Sequence, residues 1–148
     1  MQYSQGAVGR VFTLRLEDDE RVPDCIERFA LEHDVKTALC TLLGGVDRGR
    51  IVAGPKDGEA PVIDPILCPV EGAHEVLGMG TLFPDEGGAP VLHLHAATGR
   101  EGDATVGCSR AGVDVWLVGE VIILEILGAR GRRRPEPPSG FSLLQFDE

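Results

Sequence analysis

The chain has 148 residues and a formal net charge of −10, from 24 acidic and 14 basic side chains. A chain of this length fits a single domain over residues 1–148 that buries about two-thirds of its unfolded surface, so neither a disulfide framework nor a metal is needed merely to fold it. Its acidic surface repels phosphate, which argues against broad nucleic-acid binding and leaves only local contacts open.

The opening residues Met1 to Gly6 have no basic start and no apolar run, and no later stretch reaches membrane-span length without a charge, so a soluble, cytoplasmic protein is expected. Strict alternation over Gly9–Leu16 predicts a half-buried strand with Phe12, Leu14 and Leu16 on one face and Val11 on the other. After the acids Glu17 to Glu20 the period changes. Val22, Ile26, Phe29 and Ala30 recur at helical spacing with Pro23 in the first turn, so a helix is expected from about Val22 to His33. His33 is then a favourable charge at a helix C-terminus or a surface residue, not a ligand.

Val35 to Val46 reads as a strand that bends or packs closely at Gly44-Gly45, and Arg48–Ala53 as a return strand. The segment Gly54–Pro65, rich in Pro, Gly and Asp, is the expected long loop, followed by a strand over Glu75–Phe83. The four cysteines Cys25, Cys40, Cys68 and Cys108 contain no C-x-x-C pair, which argues against a zinc ribbon or a redox dithiol; Cys25 and Cys40 lie in apolar patterns and read as core fillers. Val113–Leu127 is apolar on both faces, as in a central strand covered on two sides. With one clear helix to cover the sheet, a second subunit is expected to cover part of it. Glu120 and Glu125 have opposite parity in this strand, so each is either a buried acid needing a partner or reaches an edge; Glu120 is the better candidate for supporting a functional site. Gly140–Phe146 reads as a last strand.

His93 and His95 lie one residue apart in Pro90–Ala96, and on a strand they point to one face. A hairpin turn centred between Arg100 and Glu101 would pair residues whose numbers sum to 201, placing Cys108 across from His93 and diagonal to His95. Two imidazoles and a thiolate suit zinc or a similar divalent transition metal and leave a position open for water, substrate or a neighbouring subunit. A slip of one residue would turn Cys108 away, and a His-x-His pair is also compatible with two satisfied, half-buried histidines.

The order of these pieces resembles the plant-and-prokaryote-conserved (PPC) domain. The likeness covers nearly the whole chain and rests on Gly9–Leu16, Leu43-Gly44-Gly45-Val46, Glu75–Leu82, His93-Leu94-His95 and Gly119–Glu125. It implies an α+β fold with a mostly antiparallel sheet and one main helix, assembled as a homotrimer. In prokaryotic members the segment after the histidine strand usually reads Gly-Gly-His-Leu, and that histidine joins the His-x-His pair at a metal site. Val106-Gly107-Cys108-Ser109 stands in its place here, exchanging one zinc ligand for another. His74 lies outside that motif and is a minor candidate.

The resemblance also implies a DNA-linked regulatory role, made in plant members through a separate AT-hook. Arg130-Gly131-Arg132-Arg133-Arg134-Pro135 partly matches an Arg-Gly-Arg-Pro hook core, with two extra arginines before the proline; the alternative is a solvated basic loop that offsets nearby acids. The competing class is a zinc enzyme of hydrolase or lyase type, with Glu120 or Glu75 as proton-transfer partner, or a small-ligand module with the metal in a subunit pocket. No nucleophile motif and no substrate signal is present.

Overall fold

In the computed structural model, which describes residues 1–146, the elements are β1 (Ala7–Glu17), β2 (Arg21–Val22), α1 (Asp24–Glu32), β3 (Ala38–Pro55), β4 (Pro65–Pro84), β5 (Pro90–Arg100), β6 (Asp103–Cys108), a short 3-10 turn (Ser109–Ala111), β7 (Val113–Leu127), β8 (Arg132–Glu136) and β9 (Phe141–Gln145). Seven strands form one antiparallel sheet in the order β1-β7-β3-β4-β5-β6, with β2 beside β7, while β8 and β9 form a separate ribbon. The fold is therefore α+β, a mostly antiparallel sheet with one α-helix. No helix among the described residues is long and apolar enough to cross a membrane.

Two expectations about the strands are corrected. Val35–Val46 and Arg48–Ala53 do not form a strand and its return; they are one long strand, β3, whose pairing with β7 shifts register between Gly44 and Val46. Gly44 has φ 135°, and a side chain there would collide with the Val118 carbonyl, so the glycine pair lets β3 bulge past β7 and run on. β4 starts at Pro65, not Glu75, because Leu67–Val70 keep pairing with Gly49–Val52.

Alternation decides which side chains meet. Leu92, Leu94 and Ala96 of β5, Cys40 and Leu42 of β3, and Val121 and Ile123 of β7 are buried beneath α1, which contributes Ile26 and Ala30. Burying Leu94 completely contributes about 1.5–3 kcal/mol and fixes the phase of its strand. Burial pushes the Cys25 thiol up to about 11 and that of Cys40 to about 12, so both stay neutral and fill the core as expected. The helix also grips β5 directly: the Leu92 N–H donates to Glu27 Oε1 at 2.8 Å. His33 closes the helix and stacks its ring on Phe29, centroids 4.2 Å apart.

The other face of the sheet is open in the single chain. Leu43, Leu77 and Val106 lie in one cross-strand row with Ala97 and are 48%, 69% and 64% exposed, with Met79 in the next row at 62%. Trp116, Leu117 and Val118 of β7 are exposed as well, so the two-sided apolar pattern of this strand is covered on one side only.

Candidate metal centre

His93 and His95 stand on that open face because Leu92, Leu94 and Ala96 between and beside them are claimed by the core. Their Nε2 atoms converge to 3.0 Å. Buried Cys108 completes the group, and one donor atom from each of the three residues lies within 4.8 Å of the others.

The hairpin register that brings Cys108 there differs from the sequence expectation by two residues. Cys108 pairs with His95, not His93, and partners throughout the hairpin sum to 203. The turn is centred one position later, on Glu101 and Gly102, whose φ angles of 55° and 92° are both left-handed, as a two-residue hairpin turn that follows strand twist requires. A shift of two preserves parity, which is why Cys108 keeps the correct face. Its position is also fixed from the other side, where Val52 of β3 pairs with it.

Arg133 is the residue that sequence reasoning misplaced. The basic segment is not a solvated loop: Arg132–Glu136 pairs with Phe141–Gln145, and strand alternation turns Arg133 inward to 5% exposure. Its Nη2 donates to Thr81 Oγ1 at 2.9 Å and to the Thr81 carbonyl at 3.3 Å, and its Nη1 lies 3.5 Å from His93 Nδ1. Thr81 is the β4 partner of His93, so guanidinium, hydroxyl and imidazole form one packed unit. The usable signal was the turn-forming Pro137-Pro138-Ser139-Gly140 ahead of the Phe141 strand, which can fold that strand back on Arg132–Glu136. The other arginines face outward: Arg132 donates to the Asp85 carbonyl at 3.3 Å, Arg134 lies 3.8 Å from Glu86, and Arg130 is exposed with its backbone N–H on Ser4 Oγ.

Burial lowers the proton affinity of His93, and the nearby charges of Arg133, His95 and Arg110 lower it further. The neutral ring this favours is the form that ligates a metal. Burial likewise lowers the proton affinity of Arg133, against the opposing effect of Cys108.

The acids singled out from the sequence are not brought to this cluster. Glu120 is exposed on β7, opposite Arg15 and Leu43, and β3 and β4 separate it from β5, a span of about 14 Å at strand spacing. Glu75 pairs with Gly99, four residues beyond His95 and about 13 Å along the strand. His74 turns its Nδ1 to the Gly72 carbonyl at 2.7 Å.

Beside the triad opens a cavity of about 850 Å³, bordered by His93, His95, Cys108, Arg110 and Arg133 and walled by apolar side chains such as Val106 and Leu143. Arg110 lies over the Phe141 ring, 4.7 Å from its centroid.

A one-helix antiparallel sheet that gathers two histidines and a cysteine beside an open cavity defines a class: small α+β proteins with a candidate metal centre on a sheet face. Within that class the chain belongs to the Plants and Prokaryotes Conserved (PCC) domain family, whose sequence pattern matches residues 3–127. No curated protein sequence matches the chain. Among solved structures, a metal-containing protein from Archaeoglobus fulgidus is similar over 100% of both chains, with 23% identity and a TM-score of 0.84. A plant- and prokaryote-conserved (PPC) protein from Pyrococcus horikoshii gives the same identity and TM-score over 100% of this chain and 99% of that one. A protein from Bacteroides thetaiotaomicron, described as a candidate DNA-binding protein, is 15% identical over 99% of this chain and 100% of that one, with a TM-score of 0.79. Identities this low establish a shared fold.

Proposed function

We propose that the chain is a metal-binding module in which His93, His95 and Cys108 hold a divalent transition metal, zinc first, in a homotrimer. The observation that carries this reading is the convergence of the three donor atoms within 4.8 Å on a face that the core leaves free. The donor set fits the ion: two neutral imidazoles and one thiolate suit a borderline-soft metal, and three protein ligands leave one position for water or a small ligand. When bound, such an ion supplies a Lewis-acidic position next to the cavity. The chain's own residues do the rest: Arg133 and Thr81 steady the His93 ring, and the pairing of β6 with β3 and β5 holds Cys108 in place. All four cysteines are free, which suits a reducing compartment such as the cytoplasm. The metal-containing Archaeoglobus neighbour supports the same reading.

Glu120 and Glu75, the acids that a hydrolase or lyase reading would use for proton transfer, lie away from the triad on the sheet. Trimer formation is supported by the exposed row of Leu43, Leu77 and Val106 with Met79, an apolar surface of the kind that marks subunit contacts. A DNA-linked role has narrower support: the description of the Bacteroides neighbour and the outward arginines Arg130, Arg132 and Arg134. Metal analysis of purified protein beside a His95→Ala variant tests the main reading. The wild type should carry about one ion per chain and the variant far less; equal content would sink the ligand assignment.

A further inference from the structure

We propose that the cavity beside the triad binds a small organic carboxylate with an apolar body, held by Arg133 and Arg110. This deepens the metal-centre reading and shares its cavity, but its first argument is electrostatic and independent of any ion. In a chain of net charge −10, the described lining of this cavity contains two arginines and no acidic residue. Such a local reversal of sign concentrates small anions.

The second argument is an orphan donor. Arg133 is 95% buried, with its Nη groups directed to Thr81 and His93, while its Nε–H has no partner among the described residues. A buried guanidinium N–H left unpaired is destabilising, which leaves Arg133, a residue of the cavity wall, with an unmet demand for an oxygen acceptor. At the rim, stacking on Phe141 holds the flat head of Arg110 in one orientation.

The third argument concerns the remainder of the ligand. Val62 and Leu143 wall the same space and are 66% and 41% exposed, so the surface beside the two cations is apolar. A volume of about 850 Å³ exceeds what an inorganic anion fills and lies in the range of pockets that enclose small organic molecules. A dianionic phosphate asks for more donors than one free Nε–H and one arginine head, whereas a single carboxylate is matched by them.

The test uses 4-fluorobenzoate and its neutral analogue 4-fluorobenzamide as probes, with binding to the full chain followed by fluorine NMR before and after zinc addition. The acid should bind at least about tenfold more tightly than the amide in both states. Arg110→Gln, at the exposed rim, should weaken acid binding by at least about fivefold and leave the amide unchanged; Arg133→Lys should do the same, with circular dichroism reporting its fold. Equal binding of acid and amide, binding of neither, or acid binding unaltered in Arg110→Gln would overturn the proposal. If the chain takes up no zinc, the metal reading fails alone, because the contrast between acid and amide in metal-free protein still decides the carboxylate site.

Discussion

Replacing Glu125 by glutamine should destabilise the chain by about 2–3 kcal/mol at neutral pH, and the difference should fade in acid. Glu125 is buried on β7 and accepts three hydrogen bonds from Arg10 of β1: from the backbone N–H at 3.0 Å, from Nε at 2.8 Å and from Nη2 at 2.6 Å. Breaking a fully buried ion pair costs about 3–5 kcal/mol. Arg10 is 51% exposed, so water keeps part of its solvation and the figure falls below that range. Glutamine retains one acceptor oxygen but turns an N–H₂ toward the guanidinium, losing the charge and at least one bond to a charged group, each worth about 1.5–3 kcal/mol. The Arg10 hydrogen bonds hold the Glu125 carboxyl at about 2, against an ordinary 4.5. Because the folded value is depressed, the stabilisation is complete above the ordinary value and is lost as pH falls from there toward 2. Urea unfolding of both proteins at pH 7, 5, 3 and 2 reads this directly. A difference below about 0.5 kcal/mol at pH 7, or one that persists undiminished near pH 2, would refute the reasoning.

Three further outcomes are expected. Wild type should sediment as the proposed trimer, and Met79→Asp, which puts a charge among the exposed apolar side chains of the open face, should shift it to monomer; a monomeric wild type, or an unchanged trimer in the variant, would remove this face as an interface. Thr81→Val removes the hydroxyl acceptor of buried Arg133 and should cost about 1–3 kcal/mol in urea unfolding, so a neutral result would mean that Arg133 is not anchored there. With its net charge of −10, the chain should show no shift of an A·T-rich duplex at physiological salt, and any low-salt binding should vanish in an Arg130, Arg132 and Arg134 to Ala triple variant; binding that survives physiological salt would contradict this.

How far the residues themselves disclose the structure varies along the chain. Where one face is buried, alternation is informative: β1 and β5 follow their patterns, with Leu16 and Leu94 inward and Val11 and His93 outward. The paired glycines were harder, because a turn and a bulge use the same residues, and only the crowding of Val118 against Gly44 decides for the bulge. In the hairpin, face was legible and partner was not, since parity survives a shift of two while opposition does not. Glu120 and Glu125 were each readable as a buried acid or an edge residue, with Glu120 the one favoured for a functional role. Arg10, 115 residues away in sequence, decides which of them is buried and paired. Arg133 was hidden for a similar reason: a run of arginines reads as a solvated patch until the ribbon it belongs to folds one of them against Thr81 and His93.

The central claim is that Cys108 ligates the same ion as His93 and His95. Titration of the metal-free chain with cobalt reports this through the thiolate-to-metal charge-transfer absorption, which a nitrogen-only site lacks. The wild type should develop that band to one equivalent with a tetrahedral visible spectrum, and Cys108→Ser should lose the band while keeping weaker binding through His93 and His95. A wild-type chain that binds cobalt without the band, or a Cys108→Ser chain with an unaltered spectrum, would contradict the account.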